Sequence, residues 1–437
     1  MSLKAFMFGW LVLPWVVFSI LSCGFLEPST AVLWTDRPEF ALYTAYFNSS
    51  QTRYKVETRY YEALAQRLTE TGESPDVVVG NWLKSVSTRS LFKPLDSFFA
   101  QDRIAKTAFY PRLLALGNID ATQYLFPVAF NIPAIVFARA NGSLLSNPFT
   151  ITFEELKTLG TGYNVQRNGM YSRMGFSPAW NDEFFLVATT LFNASFMEAN
   201  PIAWDAEALD QAIAYMRTWT EASNTSIQAE DEFTFKYFYD PPAKLAASGR
   251  ILFTYMNSAD FFTLTQETRA NLNFRWLAEQ ETIPLFENTV YYGIYKKGKA
   301  KKAADAFTQW FFQTETQRLL LEISKNQGLQ DTLFGISSGF SAMRTVTEQI
   351  FPQFYPSLLG HMPPDGFLSP PKILPQYWDA LKEQVILPYL RDRIRQTGEE
   401  VPRSLERRIT DWYRINNFSL TTRTFGFRDP SFYTDPK

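Results

Sequence analysis

The chain has 437 residues, 46% of them hydrophobic and 16% aromatic, with one cysteine, one histidine and a formal net charge of −2. Near neutrality leaves no basic stripe to neutralise phosphates, which argues against a nucleic-acid partner. The length exceeds what one core usually serves, so two lobes are expected.

Residues 1–22 open with Lys4 and continue as an uncharged apolar run from Ala5 to Leu21, interrupted by Pro14. That is the pattern of an export signal: a short charged start, then an apolar stretch somewhat under the roughly 20 residues a permanent membrane helix needs. The run closes on Ile20-Leu21-Ser22-Cys23, which resembles the lipobox of bacterial lipoproteins. The resemblance implies cleavage before Cys23, acylation of its sulfur, and a tether over residues 23–30. A buried cysteine beside an ordinary signal is the alternative. Cys23 is the only cysteine, so once it is acylated the mature chain has no thiol to oxidise, which suits an oxidising compartment.

In chain order, Ala31-Val32-Leu33 with Trp34 predicts a strand, followed by the polar loop Thr35-Asp36-Arg37-Pro38 and a helix carrying Phe40, Tyr43 and Phe47. A strand at residues 54–60, a helix at about 61–70 and the run Val77-Val78-Val79 complete a strand-helix alternation, which predicts a parallel sheet covered on both faces. The stretch 124–137 is strand-like but holds Pro127 and Pro133, as expected of edge or crossing strands. Thr152 stands three residues before Glu155, a capping box. A short strand is expected over Met174-Gly175-Phe176-Ser177, an amphipathic helix over 205–221, a strand over 251–255, and a return crossing over 283–295. One long helix is expected from Lys301 to Ile323, and helices beyond it.

Several of these segments, in this order, resemble the extracellular solute-binding proteins of ABC importers, of the large sugar-binding type similar to maltose-binding protein. The residues that carry the resemblance include Ser74-Pro75-Asp76-Val77-Val78-Val79-Gly80, Leu91-Phe92-Lys93-Pro94-Leu95-Asp96, Thr152-Phe153-Glu154-Glu155-Leu156 and Ala247-Ser248-Gly249-Arg250-Ile251, within residues 31–328. The implied fold is periplasmic-binding-protein-like: two α/β lobes joined by hinge strands, with a cleft between them. The expected division is 31–130 with 290–335 for the N-terminal lobe, 131–289 with 336–402 for the C-terminal lobe, and 403–437 as an extension. The implied role is a monomer that binds a carbohydrate and hands it to membrane permease subunits, without cofactor or metal.

In open α/β sheets ligands lie beyond the carboxyl ends of the strands. The loops there begin with aromatic or amide residues: Trp34, Asp36 and Arg37; Asn81 and Trp82; Trp180, Asn181 and Asp182; Tyr255 and Asn257; and, at the return crossing, Tyr291 and Tyr292. Flat rings pack on the C–H faces of a pyranose while acids, amides and guanidinium serve its hydroxyls. Each has a plain alternative in core packing or a surface turn. His361 lies in a loop with no nearby acid or cysteine, which argues against a metal site or triad. Adjacent carboxylates such as Glu154-Glu155 and Glu230-Asp231-Glu232 read as solvated faces, leaving no convincing pair for a glycoside hydrolase. A surface lipoprotein using the scaffold for adhesion or assembly is the other reading.

Overall fold

The computed structural model describes residues 29–70, 72–398, 402–416 and 418; the expected export signal over residues 1–22 and Cys23 lie outside these. Strand β1 (Thr30–Thr35), helix α1 (Glu39–Ser50), β2 (Lys55–Tyr60) and β3 (Val77–Gly80) follow the expected alternation, with β1 parallel to both β2 and β3. The chain then runs through β4 (Phe126–Phe130) directly into β5 (Pro133–Ala138), and these two strands belong to different sheets. Residues 131–132 are therefore the first crossing.

The second lobe continues through β6 (Thr150–Ile151), α2 (Phe153–Tyr163), α3 (Asp182–Leu191), α4 (Ala206–Ser223), α5 (Ile227–Lys236), β7 (Phe253–Asn257) and β8 (Leu272–Leu277). The chain returns by β9 (Ile283–Pro284) to β10 (Val290–Ile294), then forms α6 (Lys301–Phe311) and α7 (Thr314–Asn326). Strand β11 (Phe340–Ser341), β12 (Leu368–Ser369), the helical run α8 over residues 378–394 and α9 (Leu405–Ile415) complete it. The first sheet has the order β11-β4-β10-β3-β1-β2 and the second β7-β5-β8-β6.

Period-two alternation explains how the second sheet joins two cores. On β5, Ala134 and Val136 face a cluster shared with the first lobe, while Ile135 and Phe137 face a second cluster with Phe184, Trp219 and Trp378. Across the crossings the first cluster is continuous: Phe262 stacks on Phe334 at 4.7 Å and Phe340 meets Trp276 at 5.9 Å.

Several expectations are corrected. The first sheet is mixed, because β10 and β11 enter antiparallel. Of the edge or crossing strands expected over 124–137 the crossing is what forms: β4 and β5 lie inside their separate sheets, with Pro127 beside a register shift against β10. Residues 174–177 make a single bridge, Met174 to Ile251, because Gly175 is pressed so closely on Gly160 that a Cβ would lie 2.0 Å from the Gly160 carbonyl oxygen. The long helix breaks at Phe312, which turns inward against Phe126 and Tyr292. Beyond residue 336 the chain still meets the first sheet, where Phe340 pairs with Phe130; Ile350, Phe351 and Leu358 lie in the cluster shared across the crossings, and Leu374 and Trp378 lie in the second. Within the expected extension, Leu405, Ile409, Trp412 and Tyr413 are buried in the second core.

Candidate functional site

A cavity of about 290 Å³ opens where the crossings meet. Its walls come from the loop after β1 (Arg37), the first crossing (Asn131), the start of α3 (Asn181, Glu183), the end of β7 (Tyr255, Asn257), the return crossing (Phe286, Glu287, Asn288), the turn before β11 (Ser337, Ser338) and α8 (Lys382). Four of the expected residues are thus brought together: Arg37, Asn181, Tyr255 and Asn257.

Two of them are fixed by helix starts. Asn181 caps α3, its side-chain oxygen accepting from Glu183 N at 2.9 Å, and Asn257 caps the short helix after β7 by accepting from Asp260 N at 2.8 Å. Tyr255 is 6% exposed, and its hydroxyl has no hydrogen-bond partner among the described residues. Burial, with Glu183 and Glu287 nearby, holds its pKa well above the ordinary tyrosine value. A buried unpaired hydroxyl is costly, so a cavity wall is where it can be served by a ligand.

Lys382 bridges two acids, Glu183 at 3.1 Å and Glu287 at 3.2 Å, and Glu287 also accepts from the Trp378 indole at 3.0 Å. Burial disfavours the ammonium, but Glu287 and Glu183 outweigh it and hold the Lys382 pKa above the lysine norm. Glu183 is pushed up by burial although Lys382 draws it down. This cluster ties the return crossing to α3 and α8 and presents both donors and acceptors.

Asp36 lies behind Arg37, with an ion pair at 3.0 Å and a bond accepted from Asn81 N at 3.0 Å. Gly80 is required there: a Cβ would lie 2.7 Å from the Asp36 carboxylate. Asn81 is buried beside it, its side-chain oxygen unpartnered among the described residues.

The remaining expected residues stand elsewhere. Trp34 is 1% exposed, packed on Tyr61 at 4.8 Å, because its position on β1 faces the core. Tyr292 is fully buried, bonding Thr308 at 2.7 Å and stacking on Phe311. Tyr291 is also buried and does not line the cavity. Trp180 stacks on Phe233 at 5.9 Å, Asp182 pairs with Arg391, and Trp82 donates to Asp379 at 2.8 Å. The cavity is lined by charged and amide groups around Tyr255 and Phe286, and the three tryptophans Trp34, Trp82 and Trp180 do not line it.

Asn131, at the first crossing, packs there and lines the cavity as well: it donates to Ser338 O at 2.9 Å and accepts from Ser258 at 2.6 Å. Glu183, Asp260, Glu287, Asn288, Ser337, Ser338 and Lys382 were missed. Among the described residues no group of three or more His, Cys, Asp or Glu side chains is placed to hold a metal ion, and no helix is long and apolar enough to cross a membrane.

Two α/β lobes joined by crossing strands, with a polar cavity at the crossings, define a solute-binding protein. The chain belongs to the bacterial extracellular solute-binding protein family, whose model matches residues 43–326. Solved structures of the same fold include the sugar-binding protein MalE from Xanthomonas citri (TM-score 0.59, 11% identity, covering 89% of this chain and 97% of that one). Another is an ABC substrate-binding protein from Listeria monocytogenes in complex with cycloalternan (0.58, 12%, 89% and 99%). A third is the cyclic alpha-maltosyl-1,6-maltose binding protein from Arthrobacter globiformis (0.57, 15%, 88% and 96%). No curated protein matches the chain in sequence.

Proposed function

We propose that the protein is the carbohydrate-binding component of an ABC importer. It binds a saccharide in the cavity at the crossings as a monomer, and delivers it to membrane permease subunits while held to the membrane by acylated Cys23. The observation that carries this reading is the cavity itself: Tyr255 offers an unpaired buried hydroxyl and a ring, amid the amides of Asn131, Asn181 and Asn257 and the Glu183–Lys382–Glu287 cluster. Directional donors and acceptors around an aromatic ring suit a polyhydroxylated solute. The fold neighbours named above bind sugars by their own descriptions, which supports the class of solute. The shared lysine balances one of the two glutamate charges and ties both carboxylates in place, so the cluster offers a ligand hydroxyl fixed acceptors beside a fixed cation.

Titration calorimetry against mono- and oligosaccharides, polyols and amino acids tests this. Binding of a saccharide without turnover is expected, weakened about tenfold or more in Lys382→Ala. Product formation points to a hydrolase, and silence across the panel to a scaffold used for adhesion or assembly. Loss of fatty-acid incorporation in Cys23→Ala checks the anchor.

A further inference from the structure

The wall of the cavity at the crossings is unevenly charged. Glu183, Asp260 and Glu287 line it from separate elements, the start of α3, the turn after β7 and the return crossing, and the cations that line it with them are Arg37 and Lys382. Arg37 is already paired with Asp36 at 3.0 Å. Lys382 balances one of the two glutamates that it bridges. The charge of the other glutamate and that of Asp260 are left without a counter-charge in the wall.

The carboxylates also keep acceptors in reserve. Both glutamates meet Lys382 through Oε1, the oxygen by which Glu287 also takes the Trp378 indole, and Asp260 accepts from the Asn257 amide through Oδ2 at 2.7 Å. Among the described residues nothing donates to the second oxygen of any of the three. Beside them lies the Tyr255 hydroxyl, on a residue 6% exposed that lines the cavity and finds no partner for it. Burial, then Glu183, Glu287 and Asp260, hold the Tyr255 pKa well above the tyrosine norm, so all three carboxylates act on the space at that hydroxyl. Carboxylates drawn out of water without a cation are costly, and burial raises the pKa of both Glu183 and Asp260. A ligand ammonium, with three donors and a positive charge, supplies what this wall lacks.

We propose that the cavity selects a saccharide bearing an amine, its ammonium seated between the Tyr255 hydroxyl and the carboxylates of Asp260, Glu183 and Glu287. This rests on the carbohydrate reading above and narrows it to a class of sugar. Asn181, Asn288 and Lys382 remain to serve the neutral hydroxyls. A volume of about 290 Å³, at the lower bound of ordinary ligand pockets of roughly 300–1,000 Å³, suits a small sugar. The hydroxyls of an uncharged sugar can donate to the same oxygens but leave the charge unmatched, and that difference is what an experiment can read.

Titration calorimetry on the full protein at neutral pH compares glucosamine, galactosamine and mannosamine, each with its parent hexose and with its N-acetyl derivative, which has lost the charge. At least one hexosamine should bind about tenfold or more tightly than both of its uncharged counterparts. Asp260→Asn, at the cavity rim, removes the charge and keeps an oxygen to accept from Asn257; it should cut that preference severalfold, with circular dichroism checking that it folds. Hexoses bound as tightly as hexosamines in every set, or a preference that Asp260→Asn leaves intact, overturns the amine seat and leaves the saccharide reading standing. Ethanolamine or putrescine bound with no sugar bound overturns the saccharide reading and the amino sugar with it. No binding by any of these compounds overturns the amino sugar, and the wider saccharide panel then decides the carbohydrate reading by itself.

Discussion

Glu230 shows how a single residue carries information that its local sequence hides. Within Glu230-Asp231-Glu232 it reads as one of three solvated acids, yet it is 1% exposed. One oxygen accepts from Asn224 at 2.7 Å, and the other has no partner among the described residues. Burial raises its pKa, against lowering by Asn224, Ser177 and Thr220. The folded state therefore holds this proton at a pH where the unfolded chain releases it. Its contribution is fully favourable below the ordinary glutamate value of about 4.3 and is lost as pH rises through the raised folded value. Glu230→Gln keeps the bond from Asn224 and removes the charge. Its thermal midpoint at neutral pH should rise by a few degrees, and the fall in stability from mildly acidic to neutral pH should flatten. An unchanged profile would show that the carboxylate is not the cause. The site residues teach the same lesson: Glu183, Glu287 and Lys382 are far apart in the chain, and no spacing announces that one ammonium will join two carboxylates.

At the scale of elements, what was legible depended on whether the signal was local. Of the capping box, the Thr152 half forms as its spacing predicts, accepting from Glu155 N, while the Glu155 carboxylate accepts from Ser146; Asp205 and Ser404 cap α4 and α9 as Thr152 caps α2. The strand-helix alternation through β3 emerges intact because each element carries its own periodicity. The misses came where tertiary contact overrides local pattern. Phe312 continues the apolar stripe of α6, but Phe109, Phe126 and Tyr292 draw it out of the helix line. Phe340 and Ser341 are two residues long as a strand, too short to announce themselves, and their place is fixed by pairing with Phe130 and Ala129. For the same reason the aromatic residues after each strand were only half informative: alternation sends Trp34 and Tyr292 into the core, while Tyr255 at the end of β7 reaches the cavity.

For the whole molecule, the consequential contacts are those that bridge the lobes away from the crossings. Trp82, after β3 of the first sheet, donates its indole N–H to Asp379 on α8, and Val86 N donates to the Glu198 carboxylate at 2.9 Å. Trp82 has a φ of 59°, a left-handed backbone that costs energy for a bulky residue and is held in place by what its side chain reaches. Burial raises the pKa of both Asp379 and Glu198, although Trp82 and Val86, respectively, draw them down. A bond at the rim of a cleft is worth about 1 kcal/mol, enough to change the balance between open and closed arrangements roughly fivefold. Trp82→Phe removes the donor and keeps the ring. In the absence of solute it should enlarge the radius of gyration measured by X-ray scattering, and saturating saccharide should restore the compact value, with apparent affinity reduced severalfold. Combining it with Asp379→Ala should add little to either effect, since both act on one bond. Additive effects would mean that the two side chains act through separate contacts, and an unchanged radius in Trp82→Phe would mean that this bond does not set the arrangement of the lobes.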